Sequence, residues 1–327
     1  MTYLKKLGKP CLFGLILLTL VLAVSWLFYP KNNTREAGIE DFISNAFLAE
    51  PENTLDVLIL GDSVPKFGLM PELMWHEQGY TSYVCATAGK AIPKAAELME
   101  QFLERQSPRV ILLESNILFR PVDGGYARRL EMERLFPVLR YHNNWKNVSL
   151  GQMLRPVEYT CTTPEKGYYL CKLIEPADNP DYMLDTGKRT ELPAGVLSYV
   201  REIQEVCTRR GIRLILVSLP SAQNMNAACS ALLADTAGSL GIPYLDMNDA
   251  GAVPIDWQTD TADAGDHLNF WGAKKATRYL GTYLKNLELL PDHREDPSYG
   301  QWNTDYEIFM TQAYAAYGNT DYNPIEE

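Results

Sequence analysis

The sequence lacks the patterns that bind soft metals. Its six cysteines (Cys11, Cys85, Cys161, Cys171, Cys207 and Cys229) form no Cys-x-x-Cys pair and stand in no zinc-ligand spacing with a histidine, which excludes a zinc-ribbon or dithiol redox module. Histidine is scarce, with His76, His142, His267 and His293 the only four in the chain. A general base working near neutral pH is most easily a histidine, so the candidates are few. Positive charge is in deficit: 30 Lys and Arg stand against 41 Asp and Glu, a formal charge of −11. That balance argues against a nucleic-acid backbone as partner, and because the acidity is spread along the chain, its plain reading is solubility. Internal repeats and low-complexity segments are absent as well.

What the chain has is 327 residues, 46% of them hydrophobic, enough for a sizeable core in one large or two small domains. It also has one long uncharged run, from Cys11 to Tyr29, preceded by Lys5, Lys6 and Lys9. About 20 apolar residues span a bilayer as a helix, and Trp26 and Tyr29 stand where an aromatic belt falls. The run predicts a single-pass anchor over residues 1–30, with the lysines inside and the rest of the chain outside. A cleaved signal peptide ending near Ala23-Val24-Ser25 is the competing reading, although the apolar run continues past that point. Cys11 opens the run instead of following it, which does not suit lipid acylation.

Residues 31–52 are polar and read as a linker, with a short helix near 40–49. Strand and helix patterns alternate after that. Strands are predicted at 56–60, 81–85, 109–114, 212–219 and 244–246. Helices are predicted at 64–78, 93–105, 193–210, 226–240 and 271–287. Parallel pairing with right-handed crossovers follows, and so does a three-layer α/β/α fold over 53–290 with a mostly parallel sheet of about five strands. Residues 120–192 interrupt the rhythm and read as an insertion over the C-terminal edge of the sheet, where substrate loops sit. Within it, Cys161 and Cys171 bracket a short loop and either pair outside the cell or remain thiols. Residues 291–327 form an aromatic-studded tail that predicts packing back on the domain.

Four short blocks carry chemistry. Gly61-Asp62-Ser63 stands where an apolar strand runs into a helix, a position that exposes a serine hydroxyl beside helix-start amides. Asp62 and Ser63 are also good helix caps. Gly89, after the second strand, can aim a backbone N–H at a substrate oxygen, or it is simply a turn glycine. Asn116, at the end of the third strand, offers a side-chain amide as a further oxyanion donor, or serves as an ordinary turn residue. In Asp263-Ala-Gly-Asp-His-Leu-Asn269, His267 is the candidate base and an acidic neighbour its orienting partner. Asn269 can also cap the helix that follows. A metal site built from Asp256, Asp260, Asp263, Asp266 and His267 lacks a defined ligand spacing.

The order serine, glycine, asparagine, histidine along an α/β chain resembles the SGNH (GDSL-like) hydrolase superfamily, with Ser63, Gly89, Asn116 and His267 at its four blocks. The resemblance covers residues 55–120 and 210–287. It is nearest to membrane-anchored bacterial surface proteins with an Asp-His-Leu-Asn-x-x-Gly-Ala-Lys block, and residues 67–75 and 291–294 share that look. The superfamily's acid usually lies three residues before the histidine, which here is Ala264. Asp263 is the preferred acid, with Asp266 the alternative, because a carboxylate adjacent in sequence folds back poorly onto its neighbour's ring. Val64 replaces the usual leucine, and Glu-Ser-Asn replaces the usual third block.

The resemblance implies an SGNH/flavodoxin-like sheet and a serine esterase or acyltransferase that needs no cofactor or metal. Ser63, Gly89 and Asn116 would form its oxyanion hole. The implied substrate is an O-acyl, above all O-acetyl, ester of a cell-surface glycan or wall polymer. The alternative is a non-catalytic surface protein that keeps the fold for wall-polymer binding or assembly.

Overall fold

The structure is a computed structural model. It describes residues 2–187, 189–249 and 251–318, with residues 2–7 as backbone only; the end of the aromatic tail, 319–327, lies outside the described residues. The chain forms two compact units, Met1–Phe42 with Asp123–Cys161, and Ile43–Val122 with Thr162–Glu327.

The larger unit is built on five parallel strands, β1 (Val57–Gly61), β2 (Ser82–Ala86), β3 (Val110–Glu114), β4 (Arg213–Ser218) and β5 (Tyr244–Asp246). Their order is β2-β1-β3-β4-β5. Strands made of unbroken Val, Ile and Leu imply cover on both faces, and every residue of β1, β2 and β3 is buried. Alternate residues divide between two cores, as the two-residue period of a strand requires. Leu58, Leu60, Ile111 and Leu113 pack with the helices Ile92–Leu103 and Val196–Arg210. Val57, Ile59, Val110 and Leu112 pack with the helix Phe270–Asn286 on the other side. The result is the three-layer α/β/α sandwich expected from the sequence. Because β1 has β2 on one side and β3 on the other, the strand order reverses there. A crevice at the C-terminal ends of β1 and β3 follows, the usual place for a site in such a sheet.

The predicted helix over 64–78 is two helices, Ser63–Gly68 and Pro71–Gln78. Pro71 forces the residue before it out of the helical region, and Met70 is extended there. The stretch read as a linker ends near residue 42. From Ile43 onward the chain belongs to the larger unit, with Ala46 and Phe47 fully buried and the Ser44 hydroxyl donating to the Ala86 carbonyl. The aromatic tail forms the helix Gln301–Ala316, whose Tyr306, Phe309 and Met310 pack against Met70, Leu73 and Phe270. Beneath it, Lys166 is buried with its amine 2.8 Å from Glu50 and 2.6 Å from Asp305. Residues 162–192 contain no helix or strand among the described residues. They cover the sheet edge: the Val84 N–H donates to the Lys166 carbonyl at 3.0 Å. Gly167 (φ +92°) permits this approach, since a Cβ there would lie 2.1 Å from the Val84 oxygen.

The smaller unit contains the helix Thr2–Phe28, of which Gly8–Phe28 is long and apolar enough to cross a membrane, with mean hydropathy 2.6. The first half of the segment read as an irregular insertion is helical. Gly124–Leu135 forms one helix, and Val138–Tyr141 and Leu150–Met153 form two short ones. Val138 N–H donates to the Ser25 hydroxyl at 3.4 Å, and the Tyr29 and Tyr141 rings meet edge to face at 5.9 Å. Asn33 exchanges two hydrogen bonds with the Cys161 backbone, at 2.8 and 3.0 Å. None of the six cysteines is in a disulfide; Cys161 and Cys171 are thiols, the second of them buried.

Candidate active site

The turn after β1 is tight because Gly61 has no side chain. A Cβ there would lie 2.4 Å from the Pro65 ring and 3.1 Å from Glu114. Asp62 caps the next helix, its Oδ1 accepting from Val64 N–H at 3.0 Å. Ser63 is therefore the first helical residue, where a backbone N–H has no partner within the helix. The capping and nucleophile readings of this block coexist. Asp62 is fully buried, and its Oδ2 accepts from the Asn116 amide at 2.9 Å and from Arg120 Nε. These bonds tie the end of β3 to the residue before Ser63. One N–H of the Asn116 amide is used there and the other remains to donate. Behind it, Glu114 Oε2 accepts from the Asn116 N–H at 3.0 Å. Burial, and then the neighbouring Asp62 charge, push the Glu114 carboxyl well above the usual range and toward its neutral form.

The histidine block is a small hairpin, β6 (Thr261–Ala262) pairing antiparallel with β7 (His267–Leu268). Between them Asp263, Ala264 and Gly265 all have positive φ, +46°, +57° and +92°. Left-handed backbone costs roughly 1–2 kcal/mol per non-glycine residue, and strain of this kind concentrates at sites that use it. Its effect here is plain. The turn folds the Asp263 carboxylate back over the loop, where Oδ1 accepts from the His267 N–H at 2.9 Å and Oδ2 from Nδ1 at 2.7 Å. Asp266, the alternative acid, stands 3.7 Å from Nδ1 and accepts instead from the Asn224 amide. Gln223 donates to the carbonyls of Asp263 and Ala264, both at 3.0 Å, and braces the strained turn. Asn269 caps the helix that follows, accepting from Trp271 N–H at 3.0 Å.

A carboxylate can only accept, so Nδ1 carries a proton, and in the neutral imidazole Nε2 is left with its lone pair. Nε2 is buried and has no hydrogen-bond partner among the described residues. The helix Ser63–Gly68 packs directly against β7. The Phe67 ring lies tilted against the imidazole, ring centroids 4.6 Å apart. Residues four apart share a helix face, so Ser63 and Phe67 look toward the same strand. Ser63 is nearly buried, and Tyr169 covers the outer side of Phe67, at 5.0 Å.

The structure thus brings Ser63, Asn116, Asp263 and His267 to one end of the sheet. Gly89 stands apart. It lies exposed in the turn after β2 with φ +69°, with nothing within 4 Å of the place a Cβ would take. Its geometry is that of a turn glycine, and no hydrogen bond joins it to the other site residues among those described. The ligand atoms of Asp263, Asp266 and His267 lie within 4.8 Å of one another, but the Nδ1 and Asp266 atoms are already hydrogen-bonded as described. Sequence reasoning missed Phe67 and Arg120. Phe67 has a signal, four residues after the serine; Arg120 has none.

This is the architecture that the SGNH resemblance implies: a parallel α/β/α sandwich with its serine, asparagine and Asp–His blocks at the C-terminal ends of the strands. No family model matches the chain, and no curated protein does. Among solved structures, it is similar to a GDSL-like lipase from Bacteroides thetaiotaomicron at 10% identity, over 75% of this chain and 99% of that one, with a TM-score of 0.37. A candidate acylhydrolase from Bacteroides fragilis is similar at 10% identity, over 76% and 97%, with a TM-score of 0.39. A candidate lipolytic protein of the G-D-S-L family from Desulfitobacterium hafniense is similar at 12% identity, over 70% and 99%, with a TM-score of 0.37.

Proposed function

We infer that this chain is a serine ester hydrolase or O-acyltransferase of the SGNH type, anchored in the cell membrane with its α/β unit outside. The observation that carries the reading is the Asp263–His267 pair, with Nε2 buried and unpartnered against the helix that begins at Ser63. Nε2 takes the hydroxyl proton as Ser63 Oγ bonds to the acyl carbon. The tetrahedral oxyanion is held by the Ser63 backbone N–H and the remaining Asn116 N–H. His267 returns the proton to the leaving alcohol as the ester bond breaks, giving acyl-Ser63. Water then makes the enzyme a hydrolase, and an acceptor hydroxyl makes it a transferase; the serine chemistry is the same. No cofactor enters either path.

The lysines before the span favour an inside N-terminus. An outward site suits acyl esters of a surface glycan or wall polymer, O-acetyl esters above all. Ser63 is only 8% exposed, which favours a small acyl group. Purified protein should release acetate from O-acetylated polysaccharide and cleave p-nitrophenyl acetate, and both Ser63→Ala and His267→Ala should lose the activity. Ser63→Ala turning over at the wild-type rate would end the serine mechanism.

A further inference from the structure

Residues 123–161 have an unusual surface. Half of the large apolar side chains that are exposed beyond Tyr29, among the described residues, fall in this segment. They include Leu135, Leu139, Trp145, Leu150, Leu154 and Val157, with Leu150 65% and Trp145 61% exposed. So many exposed large apolar side chains in one segment mark contact with another apolar phase. The segment is also locally basic, with six Lys and Arg against four Asp and Glu, in a chain whose formal charge is −11. It forms one compact unit with the apolar helix Thr2–Phe28, against which Val138 and Tyr141 pack. A cavity of about 280 Å³ opens where that helix ends, lined by Phe28 and Lys31 on one side and Met153 and Arg155 on the other.

We propose that residues 123–161 are a membrane-interface collar, lying in the headgroup layer of the outer leaflet around the end of the span. The proposal rests on the reading of Gly8–Phe28 as a membrane span and is independent of the esterase chemistry. Leu150 and Leu154, one helical turn apart, enter the acyl region. Trp145 takes the interfacial depth at which an amphipathic ring is favoured, beside Lys146, whose amine lies 5.8 Å from the ring. The excess of basic residues faces anionic headgroups. The partner is a lipid bilayer rather than another protein because the exposed apolar side chains belong to the same compact unit as a stretch, Gly8–Phe28, that is long and apolar enough to cross a membrane.

The test uses the full chain, with Cys11 and Cys161 changed to serine, reconstituted in vesicles containing phosphatidylglycerol. An environment-sensitive fluorophore is attached at Leu150→Cys, Leu154→Cys or, as a control on the larger unit, Asp235→Cys. The collar predicts blue-shifted emission and quenching by doxyl-labelled lipid at 150 and 154, and neither at 235. Alkaline carbonate extraction of the same vesicles reports the span separately. Protein that stays in the membrane while labels at 150 and 154 keep a water-like, unquenched emission overturns the collar alone. Protein released by carbonate overturns the span and the collar together, and leaves the esterase reading untouched.

Discussion

Replacing Asp263 by asparagine changes one oxygen for an N–H₂ and leaves the shape of the side chain intact. Asparagine tolerates the left-handed backbone at this position about as well as aspartate does, so the strained turn should persist; alanine would confound the result with backbone cost. The asparagine oxygen can still accept from the His267 N–H. Its amide, however, now offers a proton to Nδ1, where the carboxylate accepted one at 2.7 Å. The imidazole answers by moving its own proton to Nε2, the atom that must receive the proton of Ser63. Losing the charge-assisted bond alone costs about 1.5–3 kcal/mol. In serine proteases the wrong tautomer lowers turnover by about 10⁴. The Asp263 side chain is 46% exposed, so water screens part of its effect, and the loss here should lie between about 10² and about 10⁴, or about 2.7–5.4 kcal/mol at about 1.36 kcal/mol per decade. Burst-phase and steady-state cleavage of p-nitrophenyl acetate measures it. Asp266→Asn is the control: its oxygen is 3.7 Å from Nδ1, and a surface pair of that kind contributes about 0–1 kcal/mol, so less than about tenfold is expected. Asp263→Asn within tenfold of wild type, or a larger loss in Asp266→Asn, would refute the assignment of roles.

Asn116→Ala should lower kcat by about 10²–10³ with little change in KM, because it removes a donor that acts on the developing oxyanion; steady-state kinetics on the same ester separates the two constants. Lys166→Met leaves Glu50 and Asp305 buried without their cation, and denaturant unfolding should show a loss of about 3–5 kcal/mol. Burial pushes the fully buried Glu72 carboxyl well above its ordinary value. The folded state then holds a proton that the unfolded state releases, so stability falls as pH rises above the unfolded Glu value. Glu72→Gln removes that linkage, and the decline in melting temperature between about pH 5 and about pH 8, both above the ordinary Glu pKa, should shrink.

The sheet was legible because its strands are buried on both faces and read as short unbroken apolar runs bounded by turn residues. The break at Leu69–Met70 follows from Pro71 by a local rule, but a helical pattern running through residues 64–78 hid it. Residues 43–49 read with the linker because the stretch around them, 31–42 and 50–52, is polar, yet Ala46 and Phe47 are fully buried in the core. The helices of 123–161 gave no period because two are only four residues long and their apolar side chains are not gathered on one core-facing stripe. At the site, serine and histidine blocks were visible as turn chemistry at strand ends. The approach of Asp263 to His267 depends on three consecutive left-handed residues, of which only Gly265 announces itself in the sequence. Arg120 on Asp62 is a contact between residues 58 apart, and nothing local marks it.

The central claim is that Ser63 is a nucleophile activated by His267. Treating the full-length protein with a fluorophosphonate and mapping the adduct by peptide mass spectrometry tests it directly. The account predicts one phosphonylated residue, Ser63, and no adduct there in His267→Ala. An unmodified Ser63 in wild-type protein, or equal labelling of the His267→Ala variant, would contradict it.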